Sequence, residues 1–203
     1  MDLSRSLPAF TALVLAVGLI RLVELGVSRR RRRALAAGGA TAVRDPRFSA
    51  MVLVHVGILV GSLAEAWGTR RVPPPALSLL ALLAVMAANA LRWWVIATLG
   101  PHWNVQVMSS LSLGVVSDGP FRFVRHPNYV AVFVELLALP LVHAAYATAL
   151  VGAAAHLWVL RHRIQVEEGM LLSSPAYRAA MGDRPRFFPR LRRARATVRE
   201  LPR

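Results

Sequence analysis

The chain has 203 residues, 56% of them hydrophobic and only 17% charged, where an ordinary soluble domain is about a quarter charged. Its 25 basic residues, all arginine, stand against 10 acidic ones, for a net charge of +15. High charge with low hydrophobicity would mean disorder, but here both are high, so the arginines must flank apolar spans in a membrane. The absence of cysteine excludes disulfides, zinc–thiolate sites, iron–sulfur clusters and a cysteine nucleophile.

A membrane-crossing helix needs about 20 mostly apolar residues. Residues 9–27, 48–67 and 76–99 each supply such a run. The run from Asn128 to Leu160 is too long for one span and about right for two short ones, turning back around Pro140 and residues 141–146. The expected fold is therefore all-α and polytopic, with about five transmembrane helices. The first span lacks the basic start and small-residue cleavage site of a signal peptide, so it is read as a retained helix. Arg21 and Glu24, three residues apart within it, lie on one face and can pair.

Arginine bias sets orientation. The segment 28–47 carries Arg29 to Arg33, Arg44 and Arg47, and residues 161–203 carry eleven more arginines. The loop after the second span has only Arg70 and Arg71 before Pro73, Pro74 and Pro75. With five spans, 28–47, 100–127 and the C-terminal tail share one side, expected to be the cytoplasm, in the cell (inner) membrane. The run Arg29 to Arg33 reads as a loop anchor that also attracts anionic headgroups. No aromatic residues interleave it, which argues against nucleic acid. The stretch from Arg190 onward reads the same way, as a surface-hugging or disordered end. The expected organisation is an N-terminal two-helix membrane region over 1–75, a core over 76–189 and a basic tail over 190–203.

No soluble catalytic domain fits in such short loops, so any activity must be built at the cytoplasmic rim, on a lipophilic substrate. Three clusters could carry it. Gly119 to Tyr129 includes Phe121, Arg125, His126 and Asn128, and Pro127 suits the first turn of a helix. The free N–H groups at that helix start, with Arg125 and His126, could cradle a carboxylate or phosphate. A plain interfacial anchor explains the same residues equally well. The second cluster is Arg161 to Glu168. Arg163 and Glu167 share a helix face, and Glu167–Glu168 form an acidic island in a cationic tail, suited to a positive charge or sugar hydroxyls, or a solvated ion pair. The third is Arg92, costly within a span and so a functional candidate, unless it snorkels to the interface beside Trp93 and Trp94. Glu135 is also intramembrane, placed to pair with Arg92 or to face a ligand, and Glu65 lies near the outer end of the second span. His55, His143 and His156 have no metal-ligand or carboxylate spacing and read as packing residues; no metal is expected. No phosphate-binding loop, dinucleotide fingerprint or serine-nucleophile motif occurs.

Arg125-His126-Pro127-Asn128-Tyr129, followed about forty residues later by Glu167-Glu168, resembles the isoprenylcysteine carboxyl methyltransferase family. Phospholipid methyltransferases share this C-terminal pattern. Leu91-Arg92, Thr98, Gly100 and Trp103-Asn104 before the Gly119-Pro120-Phe121 turn are similar to the family's preceding helix and loop, so the resemblance covers roughly Leu91 to Pro189. It implies an integral membrane enzyme using S-adenosyl-L-methionine. His126, Tyr129 and the backbone around Pro127, with Arg125, match the cofactor-binding helix start; Glu167 and Glu168 match the acidic pair that holds the cofactor. Gln106 and Phe121 are further lining candidates. Arg92 and Arg163 match two arginines implicated in substrate binding and catalysis. Ala131 departs from a glycine common in the family, and the ending Pro185-Arg186-Phe187-Phe188-Pro189 resembles the family's but is followed by a longer basic tail.

The implied partners are the bilayer and a lipophilic small molecule or prenylated substrate. A carboxylate acceptor is already ionised and needs only a cation to place it, whereas a phenol needs help losing its proton. Competing readings are an NADPH-dependent reductase like the membrane sterol reductases, a phospholipid N-methyltransferase, and a non-enzymatic scaffold.

Overall fold

The structure is a computed structural model that describes residues 3–37, 41–42, 45–106, 108–109 and 114–189. Six α-helices carry it: α1 (Leu3–Ala37), α2 (Phe48–Thr69), α3 (Pro75–Leu99), α4 (Pro127–Leu141), α5 (Tyr146–Leu171) and the short α6 (Pro175–Met181). Short 3₁₀ turns at Gly100–His102 and Gly119–Arg122 and a two-residue antiparallel bridge, Thr41–Ala42 against Met108–Ser109, complete the described elements. The fold is all-α, as expected. Among the described residues α1, α2 and α3 are long and apolar enough to cross a membrane, and α4 is a shorter apolar helix. The protein is thus an integral membrane protein with a three-span frame and a shorter hairpin.

The hairpin turns where the sequence indicated. Pro140 sits in the last turn of α4 and its carbonyl accepts from the amides of His143 and Ala145, at 3.3 and 3.0 Å. Ala144 takes φ 55°, the left-handed bend that reverses the chain. Glu65, from α2, caps the returning helix: its carboxylate accepts from the Thr148 amide and hydroxyl, both at 2.8 Å, and from the Ala147 amide at 3.1 Å. These are amides that a helix start leaves without internal partners. Close to that end Gly152 of α5 lies against α2, where a Cβ would stand 2.6 Å from Ile58 Cγ1.

One expectation fails. Residues 28–37, read as loop, continue α1 as helix. Arginine, alanine and leucine are all strong helix formers, so a run of arginines ends hydrophobicity without ending the helix. At 35 residues α1 is about 52 Å long, well beyond a hydrocarbon core of about 30 Å. Its arginine-bearing turns therefore stand beside the loop 103–106.

Two of the buried apolar clusters lie toward opposite ends of the bundle. Away from the loops, Leu7, Phe10, Val14 and Val17 of α1 pack with Ala66, Val85, Ala138 and Leu139. At the loop end, Val95 and Phe121 pack with Tyr177 and Met181 of α6. Between them lies a buried ionic network. Arg92 Nε donates to both oxygens of Glu24 at 2.9 and 3.0 Å, and its Nη2 to Oε2 at 2.5 Å. Arg21 reaches Glu24 at 2.8 Å, Glu135 at 3.4 Å and Asn89 Oδ1 at 2.7 Å. The Arg21–Glu24 pair matches its i,i+3 spacing. Glu135 pairs with Arg21 rather than Arg92, because Glu24 already occupies the Arg92 guanidinium.

Candidate functional site

The site grows from the start of α4. Pro127 is its first helical residue, where a missing N–H costs nothing. The two amides before it are not free: Arg125 N donates to Pro185 O at 2.9 Å and His126 N to Arg186 O at 3.0 Å. The C-terminal segment thus docks onto the turn, and the cradle read from sequence narrows to the first amides of α4 itself.

The two halves of the sequence pattern meet here. His126 Nε2 lies 3.0 Å from Glu168 Oε1, and the Tyr129 hydroxyl donates to Glu167. His126 stacks on Tyr129 with ring centroids 5.3 Å apart. Arg125 adds an ion pair to Glu168 at 3.2 Å, and Arg186 adds another at 2.5 Å. Glu168 lies in the last turn of α5. Burial raises its carboxyl, but hydrogen bonds from Arg186 and His126 outweigh that and hold it below the ordinary range. Nearby, burial pushes the Tyr177 hydroxyl up to about 12, so it stays protonated.

Arg163 is the hub on α5. Its Nε donates to the Tyr129 hydroxyl at 3.1 Å, its Nη1 pairs with Asp45 at 3.2 Å, and its Nη2 donates to the Val105 carbonyl. Arg163 and Glu167 share a face, as their spacing requires, but they are joined through Tyr129. Asp45 was missed by sequence reading; its one signal was a carboxylate set among the arginines of 28–47. The 103–106 loop that presents Val105 is held by α1. Ser28 Oγ donates to Asn104 Oδ1 at 2.9 Å and accepts from Val105 N at 3.0 Å. Arg32 donates to Gln106 at 2.7 Å, and Arg31 lies over the Trp103 ring at 5.6 Å. The arginine run is more than a topological anchor.

These residues surround one cavity of about 350 Å³. At one end it is walled by Gln106, Phe121, Arg125, His126, Pro127, Tyr129, Arg163 and Glu167; Arg92 and Glu24 line it deeper in. Glu168 supports this wall from behind His126 and Arg125. The other end runs between α1 and α2 past Leu22, Val52 and Val56, side chains exposed on the bundle's outer face. Residues on both sides of the expected boundary at 75 therefore line it. Two buried polar atoms in the wall, Arg125 Nε and Asn128 Oδ1, have no hydrogen-bond partner. Among the described residues no group of three or more His, Asp or Glu is arranged to hold a metal. The tail from Arg190 lies outside the described residues.

Of the histidines read as packing, His143 packs on Phe10 and lies 3.2 Å from Ser6 Oγ. His55 and His156 instead line the cavity.

The profile of the isoprenylcysteine carboxyl methyltransferase (ICMT) family matches residues 79–173. The uncharacterized protein YpbQ of Bacillus subtilis is 24% identical over 151 residues, 74% of this chain and 89% of that protein. An uncharacterized protein of Haemophilus influenzae is 30% identical over 153 residues, 75% of this chain and 88% of the relative. The matched segment runs from α3 through the His126–Glu168 pairing to the end of α5, the part of the molecule in which the family's motif residues come together. The chain belongs to the isoprenylcysteine carboxyl methyltransferase family.

Proposed function

We propose that the protein transfers the methyl group of S-adenosyl-L-methionine to an oxygen of a lipophilic acceptor, a carboxylate or a hydroxyl, at the cytoplasmic rim of the membrane. The observation that carries this reading is the single cavity joining the polar wall at His126, Tyr129 and Glu167 to an opening among lipid-facing side chains of α1 and α2. A water-soluble cofactor and a membrane-dissolved acceptor need such a two-ended space.

The residues present fit the cofactor. It has a carboxylate, an ammonium, a sulfonium and a ribose. Arg125 Nε is an unpartnered buried donor suited to the carboxylate, and Asn128 Oδ1 an unpartnered buried acceptor suited to an ammonium or hydroxyl. Buried polar atoms left unpaired cost about 1–3 kcal/mol each, so a ligand that pairs them gains accordingly. His126 and Tyr129 offer their stacked rings and Glu167 the negative charge that cationic groups seek, while Glu168 holds His126 and Arg125 in place. When bound, the cofactor supplies an electrophilic methyl group.

The remaining work falls to the chain's own side chains. Arg163, fixed by Asp45, Tyr129 and the Val105 carbonyl, orients an acceptor oxygen. Orientation of two reactants can supply about 7–11 kcal/mol of a barrier. The apolar walls exclude water. For a hydroxyl acceptor, Glu167, a carboxylate of the cavity wall hydrogen-bonded to Tyr129, receives the proton. Arg92, held through Nε and Nη2 by Glu24, positions the α1 wall of the cavity.

Calorimetry on the detergent-solubilised protein tests the cofactor assignment. S-adenosylhomocysteine is expected to bind and NADPH not to; binding of NADPH alone ends the methyltransferase reading. Mass spectrometry of lipid extracts incubated with the protein and a labelled methyl donor then identifies the acceptor, and label on nitrogen instead of oxygen would replace the acceptor class.

A further inference from the structure

His55 and His156 break the apolar lining of the cavity at one depth. His156 is seven residues from Arg163 on α5, and His55 is ten from Asp45, the Arg163 partner that precedes α2. By helix rise both rings lie about 10 Å further into the membrane than the Arg163 guanidinium. The rings face each other edge to face, with centroids 5.3 Å apart and planes at 80°, and Phe133 covers the other face of His156. The close approach of α2 and α5 at Ile58 and Gly152, one turn away on each helix, fixes this meeting.

The hydrogen bonding of the pair is incomplete. His55 Nδ1 lies 2.7 Å from the Met51 carbonyl. A carbonyl only accepts, so Nδ1 carries the proton and Nε2 is left as a lone-pair acceptor. His156 is only 2% exposed, and neither of its ring nitrogens has a partner. A neutral imidazole offers one N–H and one lone pair. Both residues line the same stretch of cavity, His55 with an acceptor left over and His156 with a donor and an acceptor unpaired. A group that both donates and accepts satisfies them together; a plain hydrocarbon chain satisfies neither and leaves buried polar atoms unpaired.

We propose that His55 and His156 form a subsite for a hydroxyl group carried along the acceptor, about 10 Å by helix rise from its methylated oxygen. This deepens the methyltransferase reading and rests on it for the position of the reacting end. The acceptor class is then a long-chain amphiphile bearing a second hydroxyl within its apolar part.

The test uses the full chain in detergent, saturated with S-adenosylhomocysteine, and two probes titrated by calorimetry. One is a long-chain primary alcohol; the other is the same chain with an added mid-chain hydroxyl. The diol is expected to bind roughly tenfold more tightly, the worth of one net hydrogen bond. That preference is expected to fall within about twofold in His156→Phe and in His55→Leu, with S-adenosylhomocysteine affinity unchanged. Equal binding of the two probes by the unmodified protein overturns the proposal, whether or not the variants fold, and points to a buried water as the occupant. Undiminished preference in both variants overturns it as well. Diol preference measured without S-adenosylhomocysteine binding would retain the subsite and sink the methyltransferase reading. Cofactor binding without diol preference would do the reverse.

Discussion

Tyr129 is the residue through which the two halves of the motif act as one. Its hydroxyl donates to Glu167 and accepts from Arg163, so a single oxygen sets the distance between the carboxylate and the guanidinium. Tyr129→Phe keeps the ring stacked on His126 and removes only that oxygen. Turnover is expected to fall about 10- to 100-fold, less than the roughly 100- to 1000-fold loss on removing a direct transition-state donor, with S-adenosylhomocysteine affinity nearly unchanged by calorimetry. An equal loss of binding would move Tyr129 from the reacting oxygen to the cofactor. Glu168 makes a prediction in pH. Its carboxyl is held below its ordinary value of 4.5 because Arg186, His126 and Arg125 favour the charged form against burial. Such a group contributes fully above 4.5, and its contribution disappears as pH falls through the lower folded value. Glu168→Gln should therefore lower Tm at neutral pH, with the gap to the unmodified protein narrowing below about pH 4. A gap that stays constant to low pH would remove the charge from the explanation. The meeting of His126 with Glu168 and of Tyr129 with Glu167 was legible because both motifs sit at helix ends that a hairpin returns to one level. Asp45 and the Val105 carbonyl were not legible, since neither belongs to a motif and both reach Arg163 only through long-range folding.

At the scale of elements, the α4–α5 hairpin could be read from the length of the apolar run and from Pro140. The continuation of α1 could not. Hydropathy reports where a helix leaves the membrane, and the arginines after Ser28 report the same thing, but neither ends hydrogen bonding along the backbone. This extension has a consequence for the site, because Ser28, Arg31 and Arg32 are what hold the 103–106 loop against Arg163. Ser28 is a positioning residue in this arrangement. Ser28→Ala removes the hydroxyl shared by Asn104 and the Val105 amide, and is expected to reduce kcat several-fold while KM for the methyl donor changes little. Ser28→Thr, which restores a hydroxyl, should recover most of the rate. A fall in Tm with kcat intact would show the contact to be structural only. The profile match begins at residue 79, so this support comes from outside the segment that the family's pattern covers.

The whole molecule is tied across the membrane by charge. Arg21 and Glu24 of α1, Arg92 of α3 and Glu135 of α4 sum to zero and connect three helices that apolar packing alone would leave free to rotate against lipid. In hydrocarbon the hydrophobic effect does not drive helices together, so contacts of this kind decide which helix face turns inward. The same faces carry Arg92 and Glu24 into the cavity wall, and so the network fixes the shape of the acceptor's path as well as the packing. A buried pair of this sort is costly to break and less costly to replace. Glu24→Ala strands the Arg92 guanidinium, whose hydrogen bonds among the described residues all go to Glu24, and is expected to destabilise the protein by about 3–5 kcal/mol, read as a lowered Tm in detergent. Removing the charge of Arg92 at the same time, in Glu24→Leu with Arg92→Met, leaves Arg21 paired with Glu135 and restores neutrality. The double variant should then be more stable than Glu24→Ala, although both lose the same hydrogen bonds to Glu24. If the double variant is instead the less stable of the two, the balance of charges is not what the network contributes.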